Sequence, residues 1–188
     1  MSPWTTQEAL STRTQLLEGA TFLRRTLVPS LIQAYLHNQA QQNRDAALFE
    51  TALCYLPDSD PRKLPVEQWT LAWCGPRDLR EGVGMMEAIF QRVCGRDYSW
   101  QSEEAVWDAV QPGVTIKHAD KVIGWCGLIS DRTKQSWKID SKLLVGEICL
   151  DALLAHVQVI PTLQPLPAFP SIQRDLNLIV DETLRWQS

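Results

Sequence analysis

The side chains best suited to acid–base or metal chemistry are dispersed along this sequence. The three histidines, His37, His118 and His156, stand far apart, with none of the spacings typical of metal ligands, and each is expected to be a surface or hydrogen-bonded residue. Glu103 and Glu104 are adjacent and are expected to be a solvated pair rather than a catalytic dyad. The sequence contains no G-x-S-x-G, H-E-x-x-H or phosphate-binding glycine loop. These residues therefore predict no catalytic, cofactor-binding or metal-binding site.

The cysteines and tryptophans indicate packing rather than chemistry. The five cysteines are odd in number and form no C-x-x-C pair, and several, such as Cys74 and Cys149, lie within apolar runs. We therefore expect buried free thiols in a reducing compartment. Among the eight tryptophans, Trp69 and Trp73 are four residues apart and would share one face of a strand. They could bind an aromatic ring, but core packing is the expectation.

Length and charge narrow the classes of function. The 188 residues, 45% hydrophobic and 21% charged, suffice for a domain with its own core. A net charge of −4 supplies no broad cationic field, so independent binding to a nucleic-acid backbone is not expected. The first residues lack the pattern of a signal peptide, and no apolar stretch approaches the roughly 18 residues of a membrane span. A cytoplasmic protein without a membrane partner is predicted.

Apolar periodicity predicts a strand-rich chain with two main helices. One helix begins at Leu27, with Pro29 in its first turn, and the other follows Asp78, which is expected to form a capping box with Glu81. One or two further helical turns are expected over 131–138. Runs of alternating or continuous apolar residues predict strands over residues 21–26, 46–56, 68–74, 113–117, 121–129, 143–150 and 175–180.

The order of these elements is helix, hairpin, helix, hairpin and strand. It indicates an α+β domain in which helices flank an antiparallel sheet. Residues 118–120 predict the tight turn of the second hairpin. A proline-marked linker over 161–170 precedes the final strand. The residues by themselves indicate a folded domain without an evident active site.

Two segments resemble the beta chain of bacterial phenylalanyl-tRNA synthetases. In residues 168–180, a phenylalanine-proline pair is followed by arginine-aspartate and an apolar strand, which resembles the start of that family's ferredoxin-like anticodon-binding domain. Residues 23–31 and 47–50 resemble another stretch of the same chain, in which leucine-arginine leads to a proline and a helix and then to a leucine-phenylalanine-glutamate strand. Weaker similarities follow in the expected order at residues 78–83, 111–113 and 123–127.

The resemblance implies the fold of a class II aminoacyl-tRNA synthetase catalytic domain that has lost its chemistry. In active members, an arginine on the strand of the second motif and another in a G-x-G-x-x-R third motif hold the ATP phosphates. Here Glu50 and Thr51 stand on the corresponding strand, and Asp151 stands where the third-motif arginine would be. Because a carboxylate repels triphosphate, this segment is expected to form no adenylate. ATP and Mg²⁺ would be used by the whole enzyme through its alpha chain.

The sequence differs from the family pattern at two positions, and it covers only part of a beta chain. Gln111 replaces the usual histidine before proline-glycine, and Ala52 replaces a glycine, so a divergent member is indicated. The tRNA-binding, editing and helical modules of the beta chain are not found, nor is most of the anticodon-binding domain. The chain therefore looks like a piece of a longer beta chain. Residues 1–160 are predicted to form the non-catalytic core, and residues 161–188 a linker with the truncated start of the anticodon-binding domain.

The function that the resemblance implies is that of a scaffold within phenylalanine–tRNA ligase. The core would bury surface against the alpha chain of a heterotetramer, using the helices that begin near Leu27 and Leu79, while other modules bind tRNA. Arg174 is the candidate tRNA contact, although an arginine that pairs near Asp175 and fixes the linker is the favoured reading. One alternative is a stand-alone paralogue that binds a protein or small ligand. Another is a residual enzyme that binds phenylalanine or ATP, against which Asp151 argues.

Overall fold

One antiparallel sheet of six strands organises the computed structural model, which describes residues 10–12, 21–60, 62–95, 98–160, 174–177 and 179. The elements are α1 (Val28–Ala40), β1 (Leu48–Leu56), β2 (Val66–Gly75), α2 (Leu79–Cys94), β3 (Gln101–Ala105), β4 (Val110–His118), β5 (Lys121–Ile129), α3 (Asp131–Trp137), β6 (Leu144–Cys149) and α4 (Leu150–Leu154). The strand order is β1-β2-β6-β5-β4-β3, so β6, the last of the described strands in sequence, lies between β2 and β5 inside the sheet. This confirms the predicted α+β class.

Each face of the sheet has its own hydrophobic cluster. Helix α1 packs on the first face, where Val28, Leu31, Ile32 and Tyr35 are buried against the strands. On the opposite face, α2 packs on β5 and β6, and α4 packs on β2 and β6. Neither α2 nor α4 therefore covers β1 on this second face, and part of the strand is exposed there.

Local sequence signals set the ends of α2 and the turn of the second hairpin. The Asp78 side chain accepts a hydrogen bond from the Glu81 N–H, and the Glu81 carboxylate accepts one from the Asp78 N–H, so the predicted capping box is present. Strands β4 and β5 are joined by Ala119 and Asp120, both with positive φ, as a two-residue hairpin turn requires. The predicted turn is thus confirmed.

Two predicted strands are wrong in the part of the chain that the structure describes. Residues 21–26 form only an isolated bridge between Phe22 and Ser11, because most of their backbone pairs with no strand. Residues 175–177 and 179 are exposed and in no strand, since no described strand pairs with them. The predicted linker over 161–170 lies outside the described residues, so the division of the chain at residue 160 stays a prediction.

Strand β3 carries no apolar signal in the sequence and is found only in the structure. Its residues, Gln101–Ala105, pair with β4 at the edge of the sheet, and four of the five are exposed. A strand that is exposed on both faces needs no alternation of apolar residues. It supplies Glu103, whose carboxylate lies 2.6 Å from Lys117 Nζ on β4.

Candidate functional site

A cleft lies where β6 stops short of its two neighbours. Pairing between β2 and β6 ends at Thr70 and Cys149, and pairing between β5 and β6 ends at Gly124 and Ile148. Strand β2 begins four residues before Thr70, and β5 begins three residues before Gly124, so both extend past the end of β6. The gap has a volume of about 560 Å³, and α4 forms one of its sides.

The lining of this cleft combines charged walls with an apolar interior. Its residues come from the start of β2, the β4–β5 turn, the end of β6 and α4. They are Val66, Glu67, Gln68, His118, Ala119, Lys121, Ile123, Cys149, Asp151, Ala152, Ala155 and His156. A pocket of this volume with a few polar groups has the size typical of small-ligand sites.

Asp151 continues the hydrogen bonding of the sheet beyond the end of β6. It lies in the first turn of α4, and its Oδ2 atom accepts a hydrogen bond of 2.8 Å from the backbone N–H of Trp69 on β2. In a longer β6, a backbone carbonyl of that strand would accept the hydrogen bond from this N–H. The residue at the predicted position of the third-motif arginine thus has a structural partner within the chain.

Two of the histidines meet beside the cleft, although they are 38 positions apart in the sequence. Their ring centroids are 4.5 Å apart, and the His118 ring stacks on Tyr98 with centroids 4.3 Å apart. His118 Nδ1 lies 2.5 Å from the carbonyl oxygen of Ser99, and because a carbonyl only accepts, Nδ1 carries the hydrogen. His118 is thus a hydrogen-bonded residue and His156 an exposed one, while their proximity was not predicted from the sequence. Only the contact between the β4–β5 turn and the end of α4 brings them together.

A carboxylate on the opposite face of the sheet holds the N-terminus of α1. Glu147 Oε1 accepts hydrogen bonds from the Thr26 hydroxyl at 2.5 Å and from the Leu27 N–H at 2.7 Å. Leu27, the N-cap residue, provides no side-chain cap, so Glu147 takes this role from a strand 120 positions away. Burial raises the pKa of Glu147 above its ordinary value, because the charged form loses its contact with water. Smaller effects lower this pKa, and they come from hydrogen bonds donated by Thr26, Leu27, Val28 and the Trp125 side chain.

The strand predicted to correspond to the second motif also carries a paired carboxylate. Glu50 on β1 accepts a hydrogen bond of 2.9 Å from Arg24 Nη1, and Arg24 Nε donates to the carbonyl of Leu53. The Trp73 ring covers Gly146 on β6 so closely that a Cβ at Gly146 would lie 2.3 Å from it. Glu50, at one of the positions that the resemblance compares with a motif arginine, is thus an acidic residue paired within the chain.

An exposed apolar surface lies on the second face of β1 and β2. Leu53 pairs directly with Trp69, so their side chains share this face, and Phe49 lies on it as well. Phe49 is 76% exposed and Trp69 is 48% exposed. We call Phe49, Leu53 and Trp69 the hairpin face. The apolar residues of α1 are by contrast buried inside the domain, so they are used for packing.

The remaining predicted residues show no assembled site. Arg174 is exposed, and neither it nor Asp175 lies in a helix or strand. All five cysteines are free thiols, and four of them are buried as predicted, whereas Cys149 is half-buried. Within the described residues, no three histidine, cysteine, aspartate or glutamate side chains group as metal ligands. No helix in the described part of the chain is long and apolar enough to cross a membrane.

The fold is similar to that of solved tRNA synthetase structures. A pyrrolysyl-tRNA synthetase from Desulfitobacterium hafniense superposes on 73% of this chain and 51% of its own, with a TM-score of 0.56 and 19% sequence identity. A second structure of pyrrolysyl-tRNA synthetase from the same organism gives the same TM-score at 20% identity. At this level of identity the likeness concerns the fold alone.

The sequence itself defines the family more narrowly. Residues 6–150 match the phenylalanyl-tRNA synthetase beta chain CLM domain, and the chain belongs to this family. It is 33% identical to the phenylalanine–tRNA ligase beta subunit of Rhodopirellula baltica, over 99% of this chain and 29% of that subunit. The corresponding subunit of Clostridium acetobutylicum is 27% identical over 92% of this chain and 22% of its own length. The chain thus spans less than a third of these relatives.

Proposed function

We propose that this chain is the non-catalytic core of the beta subunit of a cytoplasmic phenylalanine–tRNA ligase, the enzyme that attaches phenylalanine to its tRNA with ATP. In this proposal the core holds the alpha subunit of a heterotetramer, and the alpha subunit uses ATP and Mg²⁺. Contact with tRNA is made by other modules, and by Arg174 where the anticodon-binding domain begins. Membership of the beta-chain family over residues 6–150 supports this role.

The hairpin face is the observation that carries the scaffold role. Large aromatic side chains exposed together are unusual on a surface that contacts only water, and aromatic residues are enriched at protein interfaces. Phe49 and Trp69 lie on the part of the second face that the packing of α2 on β5 and β6 does not cover. A partner subunit that covers Phe49 and Trp69 would bury about 150 to 250 Å² for each fully covered ring.

The loss of chemistry has separate support. Glu50 and Asp151 stand at the two positions where the resemblance places arginines in active members, and each has a partner within the chain. Two carboxylates at these positions would repel the phosphates of ATP. We therefore expect no phenylalanine-dependent exchange of pyrophosphate into ATP by this chain alone.

The scaffold role is tested by co-expression of the 188-residue chain with the alpha subunit encoded in the same genome. The complex would be isolated by a tag on the alpha subunit and its mass measured by light scattering. Phe49→Asp is the test variant, and Val106→Asp is the matched control, because both residues are 76% exposed. Phe49 lies on the edge strand β1, and Val106 directly follows the other edge strand, β3. Exposure of both side chains means that neither change disturbs the core.

The expected result is a stable complex of the unmodified chain with the alpha subunit. Phe49→Asp should weaken the affinity about tenfold or more, since loss of an aromatic anchor has effects of this size. Val106→Asp should change the affinity by no more than about twofold. Equal binding by both variants would refute the hairpin face as the contact. Failure of the unmodified chain to bind would refute the scaffold role of this segment. ATP exchange by the chain alone would refute the proposed loss of chemistry.

A further inference from the structure

The cleft at the end of β6 has charges of opposite sign on facing walls. Glu67 and the Asp151 carboxylate lie on the β2 side, where the Trp69 N–H fixes Asp151, and Lys121 lies at the start of β5 on the other side. None of the three charged groups forms an ion pair with another residue that the structure describes. Both walls therefore present unpaired charge to a molecule that enters the gap.

The width of the gap follows from the sheet. Strands β2 and β5 are separated by the place that β6 would occupy if it were longer, which is two strand spacings, or about 9.6 Å. Side chains from both walls line this space, so a molecule that contacts both walls at once can be short.

Between the walls, the cleft is lined by small and branched apolar side chains. Ile123 comes from β5, and Ala152 and Ala155 come from the segment that forms the side of the cleft. These groups contact an apolar spacer favourably and give no partner to a third polar group. The volume of about 560 Å³ is ample for a small molecule.

We propose that this cleft binds a small zwitterion, a molecule with one ammonium group and one carboxylate or sulfonate group on a short apolar spacer. The ammonium group pairs with Asp151 and Glu67, the anionic group pairs with Lys121, and the spacer contacts Ile123. β-Alanine and taurine have this charge arrangement. The site is distinct from the hairpin face and does not depend on the proposed contact with an alpha subunit.

Nuclear magnetic resonance titration of the ¹⁵N-labelled chain tests this site. The probes are β-alanine and taurine, with propylamine and propionate as comparators that carry only one of the two charges. We expect saturable shifts with millimolar dissociation constants, weakened about tenfold or more when either charge is absent from the probe. Cys149 lines the cleft and is the one half-buried thiol, so bound β-alanine is also expected to slow its alkylation by iodoacetamide several-fold.

Variants separate this site from general surface binding. Lys121→Met and Glu67→Gln each remove one charge from an exposed cleft residue, and each is expected to weaken β-alanine binding about fivefold or more. Lys142→Met and Glu87→Gln make the same changes at exposed positions outside the cleft, and they are expected to leave binding within about twofold.

Four results would overturn the proposal. The first is the absence of saturable shifts up to about 50 mM of either zwitterion, which is above the expected dissociation constants. The second is equal binding of the singly charged probes. The third is binding of L-phenylalanine alone, which would assign the cleft to a specific amino acid rather than to small zwitterions. Equal effects of the cleft and control variants would likewise place binding elsewhere.

Discussion

Removal of the Glu147 carboxylate tests how the central strand holds α1. In Glu147→Ala, the Thr26 hydroxyl and the Leu27 N–H lose their acceptor, and the first turn of α1 loses the only carboxylate that the structure shows on it. In Glu147→Gln, one amide oxygen remains as an acceptor, but the negative charge is gone. The two variants thus separate the hydrogen bonds from the charge.

The expected loss of stability in each variant follows from the hydrogen bonds that Glu147 accepts. Loss of a helix N-cap costs about 1 kcal/mol, and loss of hydrogen bonds to a charged group costs about 1.5 to 3 kcal/mol. These values overlap because the same bonds provide the cap, and removal of a desolvated charge offsets part of the loss. We expect the free energy of unfolding to fall by about 2 to 3 kcal/mol in Glu147→Ala and by less in Glu147→Gln, which keeps one oxygen as an acceptor.

The pH dependence has a defined sign. The pKa of Glu147 is raised in the folded chain above the ordinary value of 4.5, so the folded state keeps this proton to higher pH than the unfolded state does. Its stabilising contribution is therefore fully present below the unfolded pKa and is lost as the pH rises through the folded pKa. The stability difference between the unmodified chain and Glu147→Gln should shrink from about pH 4.5 upward.

Urea unfolding followed by tryptophan fluorescence, at several pH values from about 4.5 to 8, measures both effects. Glu87→Ala serves as the control, since Glu87 is an exposed α2 residue whose loss should cost less than about 0.5 kcal/mol. A change of less than about 0.5 kcal/mol in Glu147→Ala would refute the role of this carboxylate at α1. A stability difference for Glu147→Gln that grows as the pH rises would refute the raised pKa.

Three further predictions concern other parts of the fold. Gly146→Ala should lower the free energy of unfolding by about 2 kcal/mol or more, because the new Cβ would lie 2.3 Å from the Trp73 ring, and urea unfolding measures this. Asp78→Ala should cost about 1 kcal/mol through loss of the capping box, which thermal unfolding detects as a lower Tm. Burial raises the pKa of Cys126 to about 12, so at pH 8 a thiol reagent should modify half-buried Cys149 well before Cys126, as mass spectrometry would show. Equal rates for the two thiols would contradict the burial of Cys126.

Features with a local cause were predictable from the sequence. Asp78 and Glu81 stand three residues apart and form their capping box from local contacts alone. The turn at Ala119 and Asp120 joins two apolar runs, and the strands pair as the turn requires. The burial of Cys74 follows from its apolar neighbours in the chain.

Features that depend on topology were not predictable. The strand order inserts β6 between β2 and β5, and only this insertion creates the cleft and brings Glu147 to Thr26. His118 and His156 meet because the β4–β5 turn and the end of α4 lie at the same end of the sheet. Single-sequence patterns describe the period of each element but not which elements become neighbours. The exposed β3 was missed for a simpler reason, since it has no apolar face to detect.

The contact between Asp151 and Trp69 has an evolutionary consequence. If an ancestral arginine stood at position 151, its replacement by aspartate both removed a cation and supplied the acceptor that the Trp69 N–H now uses. Reversion to arginine would remove this acceptor, at a cost of about 0.5 to 1.5 kcal/mol, since the hydrogen bond lies at an exposed site where water can replace it. A single step back toward catalysis would therefore weaken the fold before it restored any activity. In the proposed history, this hydrogen bond opposes reversal of the loss of chemistry by one substitution.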